Sequence, residues 1–76
     1  MIRFRLKEVI ADKEFEQNRR ITLSEIAADT KIHRTTLSKI ANNRGYNTTT
    51  DNIDKLCAFF DCSVEKLMER VPVREE

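Results

Sequence analysis

Thr22-Leu23-Ser24-Glu25-Ile26-Ala27-Ala28-Asp29-Thr30-Lys31-Ile32-His33-Arg34-Thr35-Thr36-Leu37-Ser38-Lys39-Ile40-Ala41-Asn42 is the stretch on which the fold of this chain turns. It holds two helix starts, eleven residues apart. Thr22 can cap a helix, and Glu25 stands three residues later. That is the spacing of a capping box, in which each side chain satisfies an orphan backbone N–H. Ile21 before the cap and Ile26 after it are placed for a hydrophobic staple, which fixes the angle of entry. A helix is predicted from Leu23 to Asp29. The same grammar returns with Ile32 ahead of a cap position at His33 and Leu37 as the staple partner. The second helix then runs from Arg34 to about Ala41, with Leu37, Ile40 and Ala41 on its inner face. Asn42-Asn43-Arg44-Gly45 stops it, because Asn and Gly tolerate the left-handed conformation that ends helices.

Helical spacing continues on both sides. Leu6, Val9 and Ile10 begin an earlier helix that fades near Phe15, and Glu16 to Arg20 reads as a solvated loop. Ahead of it, Ile2, Phe4 and Leu6 alternate with Arg3 and Arg5, which fits either a short extended piece or the frayed start of the helix. Thr49 caps a fourth helix carrying Ile53, Leu56, Cys57 and Phe60. Ser63 caps a fifth with Val64, Leu67 and Met68, which Pro72 ends ahead of a tail over 71–76. One Gly and one Pro are too few for a strand-rich small fold with tight turns. The expectation is an all-α, five-helix fold in a single domain over 1–76, with a short extended N-terminal segment as an open alternative.

Composition removes several function classes. At 76 residues there is room for one domain, and 39% hydrophobic with 36% charged residues describes a globular chain with a densely charged surface. No apolar run is long enough for a membrane-spanning helix, and the first residues lack the apolar core of a signal peptide. Cys57 and Cys62, with a single histidine in the chain, cannot assemble a zinc site. They read as reduced packing residues of a cytoplasmic protein. No metal, no cofactor and no enzymatic activity are expected. The chain offers no nucleophile with its base, no Gly-rich phosphate loop and no metal-ligand cluster. Asp51 with Asp54, and Glu65 with Glu69, read as solvated acidic helix faces.

The formal net charge of +1 hides a segregation. Residues 1–29 carry six basic and six acidic residues, and residues 51–76 carry four basic and seven acidic ones. From Thr30 to Thr50 there are four cations, Lys31, Arg34, Lys39 and Arg44, with His33 and no acid. Neutral donors crowd the same stretch, among them Thr30, Thr35, Thr36, Ser38, Asn42, Asn43 and Thr48 to Thr50. Cations and small donors without competing carboxylates suit a polyanionic backbone. With Leu37, Ile40 and Ala41 inward, the second helix of the opening stretch turns Arg34, Thr35, Ser38 and Lys39 outward. Arg34 can make a bidentate contact to guanine, Lys39 can reach guanine or phosphate, and Thr35 can touch a thymine methyl.

The opening stretch resembles the helix-turn-helix of Cro/C1-type (Xre family) DNA-binding proteins, over residues 22–42. Ala27 matches the small residue that lets the two helices cross closely, and Ile32 and Leu37 match the apolar positions that set their angle. Thr48 to Phe60 resembles the family's fourth helix and Asp61 to Leu67 its fifth, so the resemblance extends over about residues 5–70. It implies a lambda-repressor-like fold in which the first helix of the motif lies across the phosphate backbone and the second enters the major groove. By position it makes Arg34, Thr35, Ser38 and Lys39 base readers. Phosphate contacts fall to Thr36, Asn42, Asn43 and Arg44, with Thr22, Thr49 and Thr50 at helix N-termini, and Lys31 and His33 beside the groove. The chain departs from the pattern in four places. Leu23 stands where Gln is frequent, Lys31 where a left-handed Gly is usual and His33 where Ser usually caps. The fourth is a longer loop from Glu16 to Arg20 that adds two arginines suited to phosphate. A protonated His33 would be drawn to phosphate, so binding would strengthen below pH ~6.5.

The leading reading is a sequence-specific double-stranded DNA-binding transcriptional regulator, a repressor, acting as a homodimer because one small module reads only a few base pairs. The fifth helix with Val71-Pro72-Val73, or the Ile2–Phe4 segment pairing across subunits, would form the dimer contact. The alternative is a protein-interaction module of the same fold, an antitoxin or adaptor that does not read DNA.

Overall fold

The structure is a computed structural model and describes residues 1–43 and 45–72. Its elements run β1 (Ile2–Phe4), α1 (Leu6–Gln17), α2 (Leu23–Thr30), α3 (Arg34–Asn42), α4 (Thr50–Phe60), α5 (Val64–Leu67) and β2 (Met68–Arg70). The five helices close on one core. Leu6, Ile26, Leu37, Leu56, Phe60 and Leu67 are its most deeply buried members, with Ile40 beside them. Ile21 with Ile26 and Ile32 with Leu37 are all buried, as the two staples require.

Three helices end the same way without a glycine. Asn18 (φ 53), Lys31 (φ 64) and Asp61 (φ 51) each take left-handed backbone after α1, α2 and α4. Each donates its N–H back into the helix, to Glu14, to Ala27, and to Ala58 and Cys57 respectively. Lys31 therefore adopts the conformation expected of the turn glycine it replaces, at a cost of order 1 kcal/mol. α3 ends differently from the expectation for Asn42-Asn43-Arg44-Gly45. Asn43 is extended (φ −101, ψ 120), and among the described residues that follow it Gly45 is left-handed (φ 66). Arg44 lies outside the described residues.

The first helix runs past Phe15 to Gln17, which shortens the loop read at Glu16 to Arg20. Phe15 itself is 91% exposed. The larger correction is at the C-terminal side. The fifth helix was expected to carry Met68 and continue toward Pro72, but it is one turn, Val64–Leu67. Met68 to Arg70 is a strand instead, antiparallel to β1, with Ile2 opposite Arg70, Arg3 opposite Glu69 and Phe4 opposite Met68. The ladder continues at both ends. The Arg5 N–H donates to the Leu67 carbonyl (2.6 Å), while Met1 and Val71 exchange bonds of 3.0 and 2.8 Å. Of the two readings left open for residues 2–6, the extended one is the structure, and its pairing partner is the chain's own β2. Nor do Glu65 and Glu69 share a helix face. Glu69 sits in β2, where its carboxylate accepts from Arg3 at 3.0 Å and lies 3.6 Å from Arg5. Ser63 occupies the cap position of α5 without a side-chain bond to it.

Candidate nucleic-acid interface

α2 and α3 form the helix-turn-helix, joined through Lys31, Ile32 and His33. Thr30, counted above among the free donors, is not one. It is buried, its hydroxyl donating to the Ile26 carbonyl at 2.7 Å and accepting from the Ile32 N–H at 3.3 Å. Those two bonds tie the end of α2 to the turn and aim the start of α3.

At the start of α2, Thr22 Oγ1 accepts from the Glu25 N–H (3.1 Å), which is half of the capping box. The Glu25 carboxylate does not complete it. Both of its oxygens take the Arg19 guanidinium, at 3.0 and 2.8 Å. That hydrogen bond holds the Glu25 carboxyl below the usual glutamate range. Arg19, one of the two loop arginines read as suited to phosphate, is therefore engaged within the chain.

α3 shows the opposite pattern. His33 sits at its cap position but makes no side-chain bond to the helix, and the first turn contains no acid. The backbone N–H groups of that turn are left without a side-chain acceptor, at the positive end of the helix dipole. Arg34, Thr35 and Lys39 are exposed, Ser38 and Thr36 half-buried, and Lys31 and His33 exposed in the turn. The four side chains read as base contacts thus share one helix with Leu37 and Ile40 buried behind them.

Two local contacts order this face. The Asn42 amide donates to the Ser38 carbonyl at 2.9 Å, with Ser38 Oγ at 3.4 Å, so Asn42 is engaged with its own helix. Lys39 Nζ lies 6.0 Å from the centre of the Tyr46 ring, at the outer reach of a cation–π contact. Sequence spacing did not give Tyr46 a role. Its place follows from the loop after α3 folding back on that helix, and no local signal marks it. Asn43, Thr49 and Thr50 are exposed. Thr49 caps α4, its Oγ1 accepting from the Asn52 N–H at 3.1 Å, and Thr48 Oγ1 accepts from the Asn52 amide at 3.0 Å.

Ion pairs separate the two kinds of surface. Among the described residues, every one lies outside 30–50: Arg3 with Glu8 and Glu69, Arg5 with Glu69, Lys13 with Glu16, Arg19 with Glu25, and Lys55 with Asp51. Lys31, Arg34 and Lys39 have no such partner among those residues. No helix of the described residues is long and apolar enough to cross a membrane. No group of three or more His, Cys, Asp or Glu among them could hold a metal ion.

The family profile described as a Cro/C1-type HTH DNA-binding domain matches residues 5–73. A search of curated proteins gives no match.

Proposed function

The chain belongs to the Cro/C1-type helix-turn-helix DNA-binding domain family, and from that premise we propose a sequence-specific transcriptional regulator that reads the major groove of double-stranded DNA with α3. The observation that carries this reading is the contrast in charge. Lys31, Arg34 and Lys39 stand exposed without an ion pair among the described residues, in a stretch with no acid, beside a helix start with no side-chain cap. A surface so arranged has every electrostatic need met by an outside polyanion.

In this reading Arg34, Thr35, Ser38 and Lys39 contact base edges, with Tyr46 limiting the swing of Lys39. Thr22, Lys31, His33, Thr36, Asn42, Asn43, Arg44, Thr49 and Thr50 contact phosphate, and backbone N–H groups at the start of α3 join them. Asn42 does so by exchanging its bond to Ser38. The protein works as a homodimer on a pseudo-palindrome, since a single module buries too little DNA for useful specificity. The exposed apolar side chains Ile2 and Val64 supply material for the subunit contact. Occlusion of a promoter by such a dimer is repression.

Selection of sites from random duplex DNA tests the reading as a whole. Half-sites centred about 10 bp apart, or a multiple of that, are expected of the dimer. Arg34→Ala on the selected site is expected to cost roughly 1–3 kcal/mol and to relax preference at one position. Equal weakening on all sequences would remove Arg34 from the base readers, and recovery of no preferred site would end the sequence-specific reading.

A further inference from the structure

α4 ends in a turn whose chemistry the DNA reading does not use. The Asp61 N–H reaches the Ala58 carbonyl at 3.3 Å, and the Cys62 N–H reaches the Cys57 carbonyl at 3.0 Å. These two bonds around a left-handed Asp61 make a Schellman turn, and in that turn the residues at the places of Cys57 and Cys62 bring their side chains together. Apolar side chains commonly fill those places. Here both are cysteines, both free and both half-buried, so neither is sealed in the core.

Cys62 is close enough to act on its neighbour. Burial pushes the Cys57 thiol up first, and proximity to Cys62 pushes it further. The 3.0 Å backbone bond from the Cys62 N–H to the Cys57 carbonyl draws the two residues together, and a disulfide needs such a close approach of their backbones. The flanking Asp61 and Ser63 are exposed, which leaves the turn open to a small oxidant.

We propose that Cys57 and Cys62 form a redox-active dithiol that closes into an intramolecular disulfide across the α4–α5 turn, with a hydroperoxide as the oxidant. The Cys62 thiolate, in the turn between the exposed Asp61 and Ser63, takes the first step. It attacks the peroxide oxygen, the O–O bond breaks, and the departing oxygen leaves as water or an alcohol, giving a sulfenic acid on Cys62. Cys57 gives up its proton and attacks that sulfur. The S–S bond forms, the S–O bond breaks, and the hydroxide leaves with the proton as water. Two thiols lose two electrons and two protons, and the peroxide is reduced by the same two electrons. The closed bond ties the end of α4 to the entry of α5, far along α4 from Thr49, and removes freedom from the unfolded chain.

The test treats the whole chain with a few equivalents of hydrogen peroxide and follows intact mass, thiol alkylation and thermal midpoint. The expected product is a single chain that has lost two hydrogens, takes up no alkylating reagent, regains both thiols with dithiothreitol and melts several degrees higher. C57S and C62S variants are each expected to lose this product. A disulfide joining two chains, or both thiols persisting where free dithiothreitol is oxidised, would overturn the proposal. So would a disulfide that lowers the midpoint, because it would not fit the turn described.

Discussion

The two helices of the helix-turn-helix begin with the same pattern and finish it in opposite ways. α2 opens behind Ile21 with Thr22 bonded to the Glu25 N–H and Glu25 bonded to Arg19. α3 opens behind Ile32 with an unbonded His33, with Thr36 where α2 has Glu25, and with no acid in its first turn. The apolar half of the signal, the staple, is kept in both, because the core needs it. Of the polar half, α2 keeps the Thr22 cap while Glu25 turns to Arg19, and α3 keeps nothing. A helix start capped from within the chain and one left without a side-chain cap thus differ by the residues facing solvent, while their buried residues match.

The most severe way to break the comparison is to remove what the two starts share. Leu37 is fully buried as the staple partner of α3. Leu37→Ala is expected to cost about 2–5 kcal/mol of stability, read by denaturant unfolding, which in so small a core leaves little folded protein. A loss well under 1 kcal/mol would mean that α3 is not anchored as described.

A subtler change converts one start into the other. His33→Asp supplies the missing cap and a favourable negative charge, and should raise stability by about 0.5–2 kcal/mol. On DNA the same carboxylate should repel phosphate and weaken binding on every sequence. Stability and affinity must move in opposite directions. If both rise, the start of α3 does not face the DNA backbone.

The smallest effect sits at α2. Arg19 lowers the pKa of Glu25 in the folded chain, so the pair's contribution is fully present above the ordinary glutamate range near ~4.3 and is lost as pH falls through the lower folded value. Thermal midpoints measured against pH should therefore decline more steeply on the acid side for the parent than for Glu25→Gln. Identical acid limbs would show that the pair contributes nothing to stability.

What could be read from the sequence tracks how local each signal is. Thr22, Thr49 and the two staples are decided within a few residues, and the structure has them all; the left-handed backbone at Lys31 is implied by the family resemblance, and the structure has it as well. Met68-Glu69-Arg70 is where that logic fails. Met, Glu and Arg favour helix, yet the pairing with Ile2–Phe4 and the ion pairs of Glu69 with Arg3 and Arg5 outweigh the preference. Nothing near position 68 announces a partner at position 4. Glu25 fails for a related reason, since the capping-box spacing names one partner and Arg19 offers a charge-assisted alternative. On the candidate interface, the outward face of α3 follows from periodicity. The burial of Thr30 and the position of Tyr46 depend on how the turn and the following loop fold back, which periodicity does not encode.

The β1–β2 ladder also sets how the molecule answers to force. Its outermost rung joins Met1 to Val71, so tension applied through these two residues falls on one pair of hydrogen bonds at a time. Such a ladder opens like a zipper, at low load, from Met1 inward to Arg5. Leu6 and Leu67, buried just beyond the last rung, are the next to bear the pull. The helix-turn-helix lies deeper in the path, and a tether through the two ends would peel the sheet before it disturbed α3.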